Sequence, residues 1–270
     1  MNIIQSIVLG FVQGLTEFLP ISSTAHLALV PWFFRWNDPG LAFDVALHIG
    51  TLAAVIYYFW RDFVLIIREL IQGVFARGFK DYPNGKLGIF IIIATIPGAL
   101  FGFLFEKQAQ EAFRNPLVIA LSIFLFGIIL YIADKFSRKR KGISDMSILD
   151  CLVVGVSQAL AIIPGVSRSG ITITGGLSRS LKREAAARFS FLLSAPLIAG
   201  AAILESRHLN HTAVISPPFV AGVITAAIFG FLAIKYLLIY VQTKSYTVFV
   251  IYRILLAVLI LFVYMHRVGI

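Results

Sequence analysis

Six apolar stretches, each about 20 residues long, limit what this chain can fold into more than any other feature of its sequence. A helix needs roughly 20 apolar residues to cross a hydrocarbon core of about 30 Å. A helix also closes every backbone hydrogen bond within one segment, as lipid requires. We therefore predict six spanning helices, at residues 41–60, 87–105, 116–133, 185–204, 217–240 and 246–265.

The composition agrees with a membrane protein. Apolar residues make up 59% of the chain and charged residues 13%, against about 25% charged residues in soluble domains. The net charge is +10, but the basic residues lie between the apolar stretches, where they anchor a chain to anionic lipid. Membrane lipid is therefore an expected partner, and nucleic acid is not. No Lys or Arg precedes Arg35, so a cleaved signal peptide is not expected.

Two further apolar segments, residues 2–31 and 150–177, are interrupted by polar residues and by a proline in the middle. Each is predicted to form two short helical arms joined by a turn, at Pro20 and at Pro164. The arm that covers residues 167–177 is too short to cross a bilayer. We therefore predict two re-entrant hairpins, because paired broken segments are the best sequence indication of a site within the membrane.

The two broken segments resemble each other. The pattern Gly10-x-x-Gln13-x-Leu15, followed by Pro20-x-x-Ser23, parallels Gly155-x-x-Gln158-x-Leu160, followed by Pro164-x-x-Ser167, with one extra residue before the first proline. The predicted fold class is an all-α polytopic membrane protein with an inverted-topology repeat, six spanning helices and two re-entrant helical hairpins. The first repeat covers residues 1–134, a basic cytoplasmic linker covers 135–148, and the second repeat covers 149–270.

Charge predicts the orientation of this arrangement. Fifteen of the 23 Lys and Arg residues fall in the loops 61–86, 135–148, 179–188 and 240–246. Five lie on the opposite side: Arg35, Lys107, Arg114, Arg207 and Arg267. Cytoplasmic loops carry the excess of basic residues, so both termini are expected outside and the linker in the cytoplasm.

Ionisable side chains at membrane depth indicate a functional site, and the first hairpin carries several. Gln13 and Glu17 lie on one helix face and offer oxygen ligands to a hard divalent cation. Ser23 is a candidate nucleophile, and His26 a candidate acid or base. Ser22 and Thr24 are expected either to cap the second arm or to contact substrate.

The second hairpin predicts an anion site. Gly165 allows a tight turn, and Ser167 can cap the helix that follows. The free N–H groups of that helix, together with the planar fork of Arg168, suit a phosphate group. Ser169 and Thr172 are further candidate substrate contacts. Carboxylate, imidazole, hydroxyl and guanidinium groups together suit phosphoryl transfer from a ligand whose tail lies in lipid.

Structural roles are the alternative for these residues. The hydroxyls of Thr16, Thr172 and Thr174 are expected to bond to the backbone of their own helices. Glu17, His26 and Arg168 could form a buried ion pair without chemistry, and Gln13 could bond between helices.

Four other residues at membrane depth are expected to be structural. Asp44 and His48 are expected to pair within one helix, and Lys235 and Arg253 to snorkel or to pair within the bundle.

The strings QGLTEFLPISSTAH at residues 13–26 and PGVSRSG at residues 164–170 resemble the two signature motifs of the bacterial undecaprenyl-diphosphate phosphatase family, of the bacitracin-resistance type. The resemblance extends over essentially the whole chain in length, motif order and spacing. Gln13 stands where the family has Glu or Gln, which places metal binding mainly on Glu17. Ala25 is a second, mild departure, since a small Gly is common there.

The resemblance implies hydrolysis of undecaprenyl diphosphate to undecaprenyl phosphate, which recycles the lipid carrier of peptidoglycan synthesis, with Mg2+ or Ca2+ as cofactor. It implies catalytic roles for Glu17, Ser23, His26 and Arg168, with Ser167 in the same functional core. It also implies a bacterial plasma membrane location and a site open to the outer face.

Several questions stay open at this stage. A transporter or flippase of a phosphorylated lipid is the alternative function, because inverted repeats with broken helices are common in carriers. The mechanism by a phosphoserine or by a metal-activated water, the metal, the prenyl length and a homodimeric state are also left open.

Overall fold

The computed structural model describes residues 1–105, 115–205 and 216–268. Eleven α-helices account for most of this part of the chain. They are α1 (Ile3–Phe18), α2 (Ser23–Phe34), α3 (Leu41–Tyr58), α4 (Trp60–Phe75), α5 (Pro83–Leu104), α6 (Pro116–Phe136), α7 (Ile148–Ala159), α8 (Arg168–Ser178), α9 (Arg183–Glu205), α10 (Pro217–Thr243) and α11 (Thr247–Val268). The predicted all-α class is confirmed.

The two broken segments form pairs of short helices, as predicted. The first pair is α1 and α2, of 16 and 12 residues, and the second is α7 and α8, of 12 and 11 residues. All four are shorter than the roughly 20 residues that a span requires. The two arms of each pair pack against each other, so each segment turns back on itself.

Five of the six predicted spans are described as single helices long and apolar enough to cross a membrane: α5, α6, α9, α10 and α11. The prediction for residues 41–60 is only partly right. Helix α3 ends at Tyr58, and the chain bends by 74° into α4. Helix α4 occupies a region that we predicted to be part of the loop 61–86. Within the described residues the number of candidate spans is five, or six if α3 and α4 are counted as one.

The helix contacts exchange between the two halves. Helix α1 packs against α10 of the second half, and α7 packs against α5 of the first half. Small residues permit the close approach: a Cβ added at Gly10 would lie 2.3 Å from the Gly222 carbonyl oxygen, and one at Gly155 would lie 2.8 Å from the Ala94 Cα. Such an exchange of contacts is what the predicted internal repeat requires. The opposite orientation of the halves in the membrane and the repeat boundaries stay predictions.

Three of the predicted cytoplasmic segments meet at one end of the bundle. Asp150 forms ion pairs with Lys141 of the linker and Arg179 after α8. Arg183 is paired with Asp134 at 2.6 Å, and Arg188 with Asp62. The basic loops therefore lie together, as the charge pattern requires. Three residues assigned to the opposite side, Lys107, Arg114 and Arg207, lie outside the described residues.

Candidate active site

Two serines with the same unusual backbone conformation begin the second arms of the two hairpins. Ser22 has φ 75° and Ser167 has φ 73°, in the left-handed region that non-glycine residues rarely adopt. Each is the N-cap of its helix, since Ser22 Oγ accepts a hydrogen bond from the Ala25 N–H and Ser167 Oγ from the Gly170 N–H. The predicted capping role of Ser167 is confirmed.

These caps define how the two hairpins correspond. Ser22 lies nine residues after Gln13, and Ser167 lies nine residues after Gln158. The sequence comparison paired Ser23 with Ser167 and needed one extra residue in the first copy; the caps remove that residue. The structural counterpart of Ser23 is therefore Arg168, and each is the first residue of its helix.

Glu17 is the centre of the polar contacts between the hairpins, and it is 5% exposed. Its Oε1 accepts a hydrogen bond from Arg168 Nη2 at 2.6 Å. Its Oε2 accepts one from Ser23 Oγ at 2.6 Å and one from Gln13 Nε2 at 3.1 Å. His48 Nε2 lies 3.5 Å from the same oxygen. The turns of the two hairpins thus meet through a carboxylate and a guanidinium.

The second turn is fixed against its neighbours by two further bonds. Arg168 Nη1 donates to the Ser190 carbonyl of α9 at 3.3 Å. Ser169 Oγ donates to the Leu19 carbonyl of the first turn at 3.0 Å. Ser169, predicted as a substrate contact, therefore holds the two turns together.

His26 points away from this network. Its Nδ1 lies 2.7 Å from the Ser22 carbonyl oxygen, and its Nε2 lies 2.7 Å from the Tyr252 hydroxyl. Because a carbonyl can only accept, Nδ1 donates to the Ser22 oxygen, and Nε2 shares a hydrogen bond with the Tyr252 hydroxyl. Its ring is stacked on that of Tyr252. Both ring nitrogens are thus occupied at the back of the turn.

His48 takes the place beside Glu17. Its Nδ1 donates to the Asp44 carbonyl at 2.7 Å, which directs Nε2 towards Glu17, and its side chain is 25% exposed. We expected His48 to pair with Asp44 within their helix; the contact exists, but through the backbone. An ionisable residue at membrane depth was the available signal for a functional role, and nothing local linked it to Glu17.

A cavity of about 580 Å3 opens beside this network. Its polar end is lined by Glu17, Ser23, Thr24, His48, Gln158, Ser167 and Arg168. The rest of its wall is apolar and comes mainly from α5 and α9, including Gly98, Gly102, Pro196 and Gly200. The starts of α2 and α8 both reach the polar end, and helix N-termini favour anions. The shape suits an amphiphile with an anionic head.

Of the predicted site residues, Glu17, Ser23, Thr24, Ser167 and Arg168 line the cavity. The others support the site from behind: Gln13, Ser22, His26, Gly165, Ser169 and Thr172.

The three threonines bond to their own helices, as the structural alternative proposed. The hydroxyls of Thr16, Thr172 and Thr174 donate to carbonyls four residues earlier, at 2.7 to 2.8 Å.

The donor set limits how a cation could bind. No group of three or more His, Cys, Asp or Glu side chains within residues 1–105, 115–205 and 216–268 is arranged to hold a metal. Glu17 is the one carboxylate in the described cavity lining. Gln13 is fully buried and uses its amide nitrogen on Glu17, while its Oε1 has no partner. These residues fit a cation that is shared between one carboxylate and phosphate oxygens, as Mg2+ often is.

Fold and site together define a polytopic helical membrane protein in which a buried carboxylate–guanidinium pair lines a largely apolar cavity. The family model of the bacitracin resistance protein BacA matches residues 6–259. The chain therefore belongs to the BacA family.

Curated relatives agree over nearly the full length. The undecaprenyl-diphosphatase of Moorella thermoacetica is 57% identical over 99% of this chain and 100% of the relative. That of Caldicellulosiruptor bescii is 49% identical over 99% of both chains, and that of Desulforudis audaxviator is 46% identical over 99% of this chain and 100% of the relative.

Proposed function

We propose that this chain is a membrane-embedded phosphatase that hydrolyses undecaprenyl diphosphate to undecaprenyl phosphate and phosphate, and so recycles the lipid carrier of peptidoglycan synthesis. One observation carries the proposal: two helix N-termini and Arg168 converge on the polar end of a cavity whose other walls are apolar. Membership of the BacA family and the names of the relatives support it.

The cavity matches the two ends of such a substrate. Arg168 and the free N–H groups at the starts of α2 and α8 bind the diphosphate, because a guanidinium grips phosphate oxygens bidentately. The apolar walls formed by α5 and α9 take the first prenyl units. A cavity of about 580 Å3 has the size of a small-ligand site, so the rest of the chain lies in lipid.

Ser23 and Glu17 carry the chemistry in this proposal. The Ser23 hydroxyl donates its proton to Glu17, and its oxygen attacks the terminal phosphorus. The bond from that phosphorus to the bridging oxygen breaks, undecaprenyl phosphate leaves, and water then hydrolyses the phosphoserine. In the rival route, water attacks directly and Ser23 only positions it. A phosphoserine trapped at Ser23 after acid quench would separate the two routes.

A divalent cation, Mg2+ or Ca2+, is part of the proposal. When bound, it would neutralise charge on the phosphate oxygens, with Glu17 as its protein ligand. We expect chelator to abolish phosphate release and either cation to restore it. Because the protein offers one carboxylate, calorimetry should detect saturable cation binding only when a diphosphate is present. Tight binding to the free protein would contradict this arrangement.

The finer location also belongs to the proposal. A multi-pass chain with 15 basic residues on one side fits the bacterial plasma membrane, with both termini outside. Since the diphosphate carrier is released outside, the site is proposed to open to that face. A homodimer stays a separate hypothesis, which the mass of the purified protein in detergent tests.

Phosphate release by the purified protein in detergent tests the function. Undecaprenyl diphosphate or farnesyl diphosphate should release phosphate without a second compartment. A flippase would bind the lipid and release none, and that result would reject the proposal in favour of transport.

A further inference from the structure

Arg253 of α11 is fully buried, with 0% of its surface exposed, and the chemistry proposed above does not use it. We expected it to snorkel or to pair within the bundle; it lies inside the bundle, and its partners among the described residues are backbone carbonyls. Its guanidinium donates to five backbone carbonyls: Nε to Ile123, Nη1 to Pro20 and Val166, and Nη2 to Gly165 and Ser122. A guanidinium has five N–H donors, and each has an acceptor.

Two of these carbonyls belong to corresponding residues of the two hairpins. Pro20 and Gly165 each lie two residues before the capping serine of their hairpin. Arg253 Nη1 lies 3.1 Å from the Pro20 oxygen, and Nη2 lies 2.8 Å from the Gly165 oxygen. One side chain therefore holds both turns at once, from the side of α6 and α11.

No ion pair of Arg253 is found within the described ranges. A buried cation without a counter-ion is costly, and well-packed apolar residues often stabilise a protein better than buried charges do. Packing alone does not account for a guanidinium here. Its fork does what a Lys ammonium, with three donors, cannot do: it bonds two turns and α6 simultaneously.

We propose that Arg253 is a positioning residue that fixes the separation of the two turns. This inference rests on the proposed function. Glu17 and Ser23 flank the first turn, and Arg168 follows the second turn. The distance between the turns therefore determines whether a diphosphate held by Arg168 faces the Ser23 oxygen. A misplacement of about 1 Å in such a pair can cost on the order of a hundredfold in rate.

Gly127 offers a way to move Arg253 without changing a charge. The three atoms nearest to a Cβ added at Gly127 would all belong to Arg253, with its Cβ and Nε at 3.3 Å and its Cδ at 3.5 Å. Gly127 lies within α6, where Ala is a good helix former. Gly127→Ala should therefore fold and shift the guanidinium, even if Arg253→Met fails to fold.

The matched control lies on the same helix. Arg267 also donates to backbone carbonyls, those of Trp32 and Phe33 at the end of α2, but it touches neither turn. Arg267→Met removes two bonds of the same kind and should leave the separation of the turns unaltered.

The experiment combines steady-state kinetics with hydrogen exchange of the full-length protein in detergent. With farnesyl diphosphate, we expect Gly127→Ala and Arg253→Met to lower kcat at least tenfold, with KM changed less than threefold, as misalignment of bound substrate predicts. Exchange should rise in the peptides of both turns together and not elsewhere. Arg267→Met should match the wild type in kcat.

Two results would overturn the inference: a wild-type kcat in Gly127→Ala, or a rise in exchange confined to one turn. The exchange measurement needs no activity. If the wild type released no phosphate, the proposed function would fail while the link between the turns would still be tested.

Discussion

The turns of the two hairpins share a scaffold and differ in chemistry. In each hairpin a buried glutamine, Gln13 or Gln158, lies nine residues before the capping serine. The first hairpin has Glu17 where the second has Ile162, and Ser23 where the second has Arg168. One turn supplies a proton acceptor and a hydroxyl, and the other supplies a cation.

The difference follows from where the turns meet. Two identical turns in contact would place like charges within a few ångströms, which low-dielectric surroundings penalise strongly. Opposite charges stabilise the same contact, and Glu17 lies 2.6 Å from Arg168. The similar backbone of the two turns thus brings two helix N-termini together, and their different side chains stabilise the contact. In the proposed function the same side chains carry the reaction.

Removal of the Glu17 carboxylate should cause the largest loss of activity. Glu17→Gln keeps the volume but leaves Ser23 without its proton acceptor and Arg168 without its partner. We expect kcat to fall about a thousandfold, within the range of general acid–base groups, as measured by phosphate release from farnesyl diphosphate. Asp62→Asn, in another carboxylate–arginine pair, is the control. Wild-type turnover in Glu17→Gln would refute the site.

Substitution of Arg168, the cation of the second turn, should have the next largest effect on activity. Arg168→Lys keeps the charge but loses the planar fork, so we expect kcat/KM to fall about a hundredfold, similar to the loss of one donor at a transition-state anion. Arg188→Lys alters a second arginine, which is paired with Asp62, and should change kcat/KM little. Equal losses in both variants would mean that Arg168 has only a structural role.

Substitution of the two histidines should lower kcat by different amounts. His48→Gln should lower kcat about tenfold, because its imidazole faces Glu17. His26→Gln should lower kcat only a few-fold, because both of its ring nitrogens bond away from Glu17. The reverse order would make His26 the proton carrier, as we predicted from sequence.

Substitution of the threonines that bond to their own helices should have the smallest effect on activity. Thr16→Val and Thr174→Val each lose a hydroxyl that bonds to its own helix, so kcat should change less than about twofold. Thr24 lines the cavity, so Thr24→Val makes an informative comparison in the same assay, with a larger loss expected.

The sequence by itself determined that lipid surrounds much of the chain, that the chain is helical, and which residues are most of the candidate reactive groups. Apolar length fixes spanning helices because lipid leaves the backbone no other partner. The broken segments and their polar residues could be recognised for the same reason, since Glu17, Ser23 and Arg168 are conspicuous at membrane depth. Local signals also sufficed for the cap at Ser167.

Only the tertiary structure decided which polar groups face one another. His48 meets Glu17, and Arg253 meets both turns, through contacts between residues far apart in the chain. The sequence also did not predict the bend between α3 and α4, or that Ser23 and Arg168 occupy corresponding positions in the two hairpins. Helical periodicity tells which residues share a face, but it does not tell which helix that face meets. The tertiary packing decides which helix faces meet, and therefore which side chains form the site.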